Sequence, residues 1–120
     1  MNHQQQVKQF HDRFGLWTYE KNQVPAPDDI ILGRVSLISE EFAEFIKAAH
    51  GWDKEAMAKE LADLAYVVYG AAVEIGIDLD KAIDIVHESN MSKVDGRLNK
   101  ATGKYEKGPS YIPPNMSSTI

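Results

Sequence analysis

Five carboxylates stand in two tight groups, Glu40, Glu41 and Glu44 in "SEEFAEF" and Glu60 and Asp63 in "KELADLA". Glu41/Glu44 and Glu60/Asp63 are each spaced i,i+3, so on a helix the members of a pair share one face. One acid in an apolar helix stripe is ordinarily half exposed or paired with a base. Four acids on two stripes resist that account, because Arg34 is the only Arg or Lys in either stripe. Ionised carboxylates withdrawn from water are costly, and crowding them adds repulsion. A hard divalent cation relieves both penalties. Neither pair includes a His and the chain has no Cys, so an all-oxygen shell points to Mg²⁺, with Mn²⁺ as a substitute, and away from zinc. Di-iron bundles also use carboxylates on facing helices, but they want Glu-x-x-His on two of them. The nearest candidate here is Asp84/His87, with Asp in the place of Glu.

A second set of polar residues follows. Along "LDKAIDIVHESNMSKV" the apolar line Leu79, Ile83, Val86 continues into Asn90 and Lys93 rather than into further aliphatic residues. Lys93 near a helix end either complements the helix dipole or supplies a point charge to a phosphate. Asn90 either marks fraying or serves as donor and acceptor to a sugar or base edge. Arg97, Lys100, Lys104 and Lys107 come next. Residues 1–90 hold 8 Lys/Arg against 16 Asp/Glu, whereas residues 91–120 hold 5 against 2. The basic tail is either an ordinary solvated end or a cover for a polyphosphate held beside a cation.

The elements that must position these residues are helices. "NHQQQVKQFHDRFGL" has apolar residues at Val7, Phe10 and Phe14 and predicts a short amphipathic helix ending near Gly15. "WTYEKNQVPAP" breaks the period. Asp28 and Asp29 offer an N-cap and an acidic first turn to a helix running to His50 and stopped by Gly51. Asp53 caps the next, from Lys54 to Ile75, closed by Gly76, with Gly70 inside it at some cost. Asp78 or Asp80 opens the last. Two long helices joined by so short a turn must fold back as an antiparallel hairpin, which sets the two acidic segments face to face.

At about 100° per residue, with Glu41 at zero, Ile30, Ile31, Val35, Leu37, Ile38, Phe42, Phe45, Ile46, Ala48 and Ala49 fill an arc from roughly −40° to +140°; Glu44 falls at about −60° and Glu40 at about −100°. Glu41 is inside the stripe, Glu44 at its edge and Glu40 off to the side. On the following helix Glu60 is again inside the stripe and Asp63 at its margin.

No alternating strand pattern of useful length and no internal repeat is present. The expected fold is therefore all-α, an antiparallel bundle of about four helices around a central two-helix hairpin. Its core covers about residues 28–96, and an extended basic segment with a frayed end covers 97–120. With 120 residues and 43% hydrophobic content the chain suits one domain. The net charge of −5 argues against a nucleic-acid polymer as partner. The lack of cysteine, of a leader pattern and of a long apolar run leads us to expect a cytoplasmic protein without membrane attachment.

"EEFAE" at 40–44, fifteen intervening residues and "ELAD" at 60–63 resemble the Glu-Glu-x-x-Glu... Glu-x-x-Asp pattern of MazG-like and phosphoribosyl-ATP-pyrophosphohydrolase-like proteins, the all-α nucleoside triphosphate pyrophosphatase superfamily. "HESNMSK" (87–93) and "GKYEKGPSYIPP" (103–114) are similar to its single-domain members. The resemblance implies Mg²⁺-dependent hydrolysis of a nucleoside triphosphate between the α and β phosphates, giving the monophosphate and pyrophosphate. Glu41, Glu44, Glu60 and Asp63 are then the metal ligands, and Glu40 orients or deprotonates the attacking water. Asn90, Lys93, Lys104, Lys107 and Tyr111 become the substrate-binding set. The resemblance also implies a homodimer or homotetramer, with Phe10, Phe14, Leu16 and Trp17 as candidates for the protomer contact. Trp52, in the hairpin turn, either covers the end of the hairpin or stacks on a base. Two other readings are phosphoribosyl-ATP as the substrate, and a non-catalytic helical regulatory module that keeps a structural cation.

Overall fold

The computed structural model describes residues 1–120. In chain order the elements are α1 (His3–Arg13), α2 (Tyr19–Asn22), α3 (Asp28–His50), α4 (Lys54–Ile75), α5 (Leu79–Met91), β1 (Arg97–Asn99), β2 (Lys104–Glu106) and a final 3-10 turn, Ser117–Thr119. The chain forms two compact units, Met1–Ile77 and Asp78–Ile120. The fold is mostly helical, as the periodicity predicts, and no helix is long and apolar enough to cross a membrane.

In the first unit α4 is the element on which α1, α2 and α3 all pack. Its start is fixed by Asp53, whose carboxylate accepts from the backbone N–H groups of Glu55 and Ala56 at 3.1 and 3.2 Å. Its end is fixed by Gly76 at φ +92°, a left-handed conformation that suits glycine. Two details of the α3–α4 hairpin differ from expectation. Asp28 lies inside α3 rather than capping it, since Pro27 holds the cap position without a side-chain bond. At the turn, Gly51 keeps a right-handed φ of −80°, and it is Trp52 that takes the left-handed value, +51°. Trp52 is 86% exposed, so it does not cover the end of the hairpin.

Between the helices lies a polar knot that periodicity did not suggest. Arg34 of α3 reaches Glu74 of α4 through two parallel bonds of 2.8 Å each, Nε to Oε1 and Nη2 to Oε2, and both side chains are buried. Nη1 donates to the Val67 carbonyl at 3.3 Å, and Nη2 lies 3.4 Å from His11 Nε2. His11 Nδ1 in turn lies 2.9 Å from the Trp17 carbonyl, so that nitrogen carries the proton and Nε2 accepts from Arg34. One guanidinium therefore ties α1, α3 and α4 together.

Gly70 makes room for it. A Cβ at that position would sit 2.7 Å from Arg34 Cζ. In an ordinary helix interior, Gly→Ala gains about 1 kcal/mol. Gly70→Ala is expected to have the opposite sign and to lower the thermal midpoint, because the guanidinium is fixed by Glu74 and has nowhere to retreat. A melting curve of the variant checks this.

The apolar arc of α3 is only partly covered. Val35, Leu37, Phe42 and Ile46 are exposed, as is Leu32 beside them. A single neighbouring long helix shields one side of α3 and leaves the other bare.

The second unit departs most from the sequence expectation. The stretch read as extended contains an antiparallel hairpin with Arg97 opposite Glu106, Leu98 opposite Tyr105 and Asn99 opposite Lys104. Strands of three residues are too short for an alternating pattern to register. Nor is the end frayed: Thr119 is buried, and its carbonyl accepts from the Asp78 N–H at 2.8 Å. The strap from residue 110 to 120 is further held by Ser89 Oγ donating to the Ile112 carbonyl and by the Ile112 N–H donating to Ser92 Oγ.

Candidate metal centre

The α3–α4 hairpin brings Glu41, Glu60 and Asp63 together, with one carboxylate oxygen from each within 4.8 Å of the others. All three are half-buried. Glu41 projects from the covered part of α3, while Glu60 and Asp63, one turn apart, project from the facing part of α4. Glu44 and Glu40 are exposed, and neither belongs to this cluster. The stripe geometry accounts for the difference: Glu41 points into the helix pair, and the other two flank it.

Partial burial pushes the Glu41 carboxyl above its ordinary value, and the neighbouring Asp63, Glu60 and Glu40 carboxylates push it in the same direction. An acid held in that state lacks positive charge. Part of the deficit is met by Lys59, whose Nζ lies 2.7 Å from Asp63 and 3.5 Å from Glu60. Those carboxylates raise the Lys59 ammonium in return, with the Asp63 hydrogen bond the largest cause. Lys59 stands at i,i+4 from Asp63, a pairing that its spacing alone makes legible in the sequence. Its side chain is 71% exposed, so it can swing outward and leave the oxygens to another cation. Three converging carboxylates, no nitrogen or sulfur donor, and a carboxyl kept from ionising freely by its neighbours fit a hard divalent ion.

The second unit gathers another set. Lys93, Lys104, Glu106, Lys107 and Tyr111 line a cavity of about 360 Å³. The Lys107 and Lys93 ammonium groups stand 5.1 and 5.9 Å from the Tyr111 ring centroid. Four of the five residues expected to bind substrate are therefore neighbours. Asn90, exposed on α5, is not on the cavity. Glu106 is the lining residue the sequence did not reveal, because only the strand pairing places it there. The loop is fastened by Asp95, which accepts from the Ser110 hydroxyl at 2.8 Å and from its N–H at 3.2 Å. That hydroxyl bond is the main reason the Asp95 carboxyl lies below its ordinary value.

Comparison with protein families indicates the class of chemistry. The family model described as phosphoribosyl-ATP pyrophosphohydrolase matches residues 7–90. The chain belongs to that family. Phosphoribosyl-ATP pyrophosphohydrolase family proteins hydrolyse phosphoric anhydride bonds, and the chain is an enzyme of this kind. The family match spans α1 from Val7 through α5 to Asn90, so all five acids lie inside it and Lys93, Lys104, Lys107 and Tyr111 lie outside. Comparison with curated proteins finds no match.

Proposed function

We propose that this pyrophosphohydrolase acts on a nucleoside triphosphate, cleaving between the α and β phosphates to give the monophosphate and pyrophosphate, with Mg²⁺ as its ion and Mn²⁺ as a substitute. The observation that carries the reading is the convergence of Glu41, Glu60 and Asp63 within 4.8 Å. These residues would hold the ion, with Glu44 as a further ligand from the same helix. When bound, the ion supplies neutralisation of phosphate charge and activation of water. Glu40, exposed beside the cluster, is proposed to orient the attacking water and take its proton. The water oxygen bonds to the α phosphorus as the bridging P–O bond breaks, and the electron pair leaves with pyrophosphate. No covalent nucleophile is required. Asn90, Lys93, Lys104, Lys107 and Tyr111 are proposed to hold the substrate.

The bare apolar residues of α3, together with exposed Phe10, Phe14 and Leu16, support assembly as a homodimer or homotetramer. Trp17, the other candidate for that contact, is half-buried within its own unit. Such an enzyme would act on the cytoplasmic nucleotide pool.

The family description favours a second reading, phosphoribosyl-ATP as the substrate. Both are tested by incubating the purified chain with ribo- and deoxynucleoside triphosphates and phosphoribosyl-ATP, with and without Mg²⁺. The expected outcome is Mg²⁺-dependent release of pyrophosphate and a nucleoside monophosphate. Release of orthophosphate would overturn the cleavage site, and turnover of phosphoribosyl-ATP alone would replace the leading substrate with the second.

A further inference from the structure

We infer that the hairpin end of the second unit is a receptor for condensed phosphate, built by Lys93, Lys104 and Lys107 around Tyr111, that binds a pyrophosphoryl group without a divalent cation. Identifying the anion as a phosphate chain rests on the pyrophosphohydrolase reading above. The excess of positive charge that favours an anion does not. Three ammonium groups line one cavity of about 360 Å³, and none of them forms an ion pair with a carboxylate. The one acid on the lining, Glu106, takes a bond from the Asn99 side-chain amide at 3.1 Å. Positive charge is thus in excess along this lining.

The cavity is held in shape rather than draped. Lys93 Nζ donates to the Tyr105 carbonyl at 3.4 Å, which anchors the segment just after α5 to β2. Tyr111 lies under two of the ammonium groups, and a ring face attracts cations without neutralising them as a carboxylate would. The backbone closes tightly around the same loop: a Cβ on Gly96 would collide with the Glu106 carbonyl, and one on Gly108 with the Asp95 carbonyl. Glycine is required there by close approach. The Asp95–Ser110 bonds tie the two sides of the loop together and occupy an acid that is not on the cavity lining.

The chemistry selects the ligand. Each ammonium offers three donors and no acceptor, so the site suits an anion with many oxygens and more than one negative charge. A pyrophosphoryl group carries more charge than orthophosphate and spreads it over two phosphorus centres, so it can meet ammonium groups set further apart. A nucleobase gains little from a ring face already turned toward cations. Lys93, Lys104, Lys107 and Tyr111 all lie beyond Asn90, where the family match ends.

The test is calorimetric titration of the full chain, in EDTA, with sodium pyrophosphate and, separately, with orthophosphate. Pyrophosphate is expected to bind at least about tenfold more tightly, a difference of about 1.4 kcal/mol. The double variant Lys104→Ala/Lys107→Ala, at two exposed positions, should lose that preference, and Glu106→Gln should tighten binding by removing the one opposing charge. Equal affinity for the two anions, or an unchanged titration of the double variant, overturns the inference. Glu60→Gln distinguishes this site from the acidic cluster: it should retain pyrophosphate binding in EDTA, and loss of binding there would assign the anion to the wrong place. A chain that turns over nucleotide but does not bind pyrophosphate in EDTA refutes the receptor alone. Binding without any turnover refutes the functional reading and leaves the receptor standing.

Discussion

Arg34→Met, with Glu74 left in place, is expected to lower the unfolding free energy by about 3–5 kcal/mol, the usual cost of stranding one partner of a buried ion pair. Against a typical domain stability of about 5–15 kcal/mol this is a large fraction, and the variant should be substantially unfolded at moderate temperature. Three losses combine. Glu74 keeps a buried charge with no cation, the Val67 carbonyl loses a donor, and His11 Nε2 loses the group it accepts from. Denaturant titration measures the effect. The pair substitution Arg34→Met/Glu74→Met should recover most of the loss, because it removes both charges and leaves apolar volume behind. Arg34→Lys should not, since an ammonium cannot make the two parallel bonds to Glu74. If Arg34→Met melts with the parent chain, the knot is not what holds α3 and α4 in register.

Glu60→Gln is expected to reduce turnover of the nucleotide by about a hundredfold or more, since each tenfold is about 1.4 kcal/mol and an ion's stabilisation of developing charge is worth several. Its stability should move the other way. Glu41 has a folded-state value raised above that of the unfolded chain, so its ionisation disfavours the fold. That penalty is absent below the ordinary glutamate range and grows as pH rises through the folded value. Removing the Glu60 charge relieves part of it. Without divalent ions, Glu60→Gln should therefore melt at or above the parent temperature at neutral pH, with a shallower decline across the glutamate range. Addition of Mg²⁺ should raise the melting temperature of the parent and raise that of the variant less. Loss of stability without the ion would instead mark Glu60 as a structural residue, paired with Lys59.

How far the sequence disclosed the molecule depends on the range of the interactions. Helix α4 is found from Lys54 to Ile75, its expected bounds, because its limits are set locally, by the Asp53 cap and by Gly76. The inward direction of Glu41 and Glu60 was likewise legible from 3.6-residue periodicity. Other features depend on partners remote in the chain. Arg34 and Glu74 are 40 positions apart, and nothing local in either marks it as half of a pair. Glu106 enters the cavity only through its pairing with Arg97. The brief helix α2 lies in a stretch where Val24, Pro25 and Pro27 suppress any period, and it is started by the Thr18 hydroxyl accepting from the Lys21 N–H. The exposure of Phe42 and Ile46 eluded helix counting because periodicity identifies an apolar face without saying what covers it.

The clearance above Gly70 has an evolutionary side. Position by position, Gly70 looks like a defect awaiting repair by alanine, and Arg34 like a misplaced charge. Each is tolerable only because the other, and Glu74, are as they are. A lineage that alters one of the three passes through a weakened protein before it can alter the next, so no single-step path of neutral drift leads away from the trio. Across relatives, the glycine, the arginine and the glutamate should be inherited or lost as a set, and their joint presence should be a better sign of shared helix register than the acidic residues, which chemistry alone would preserve.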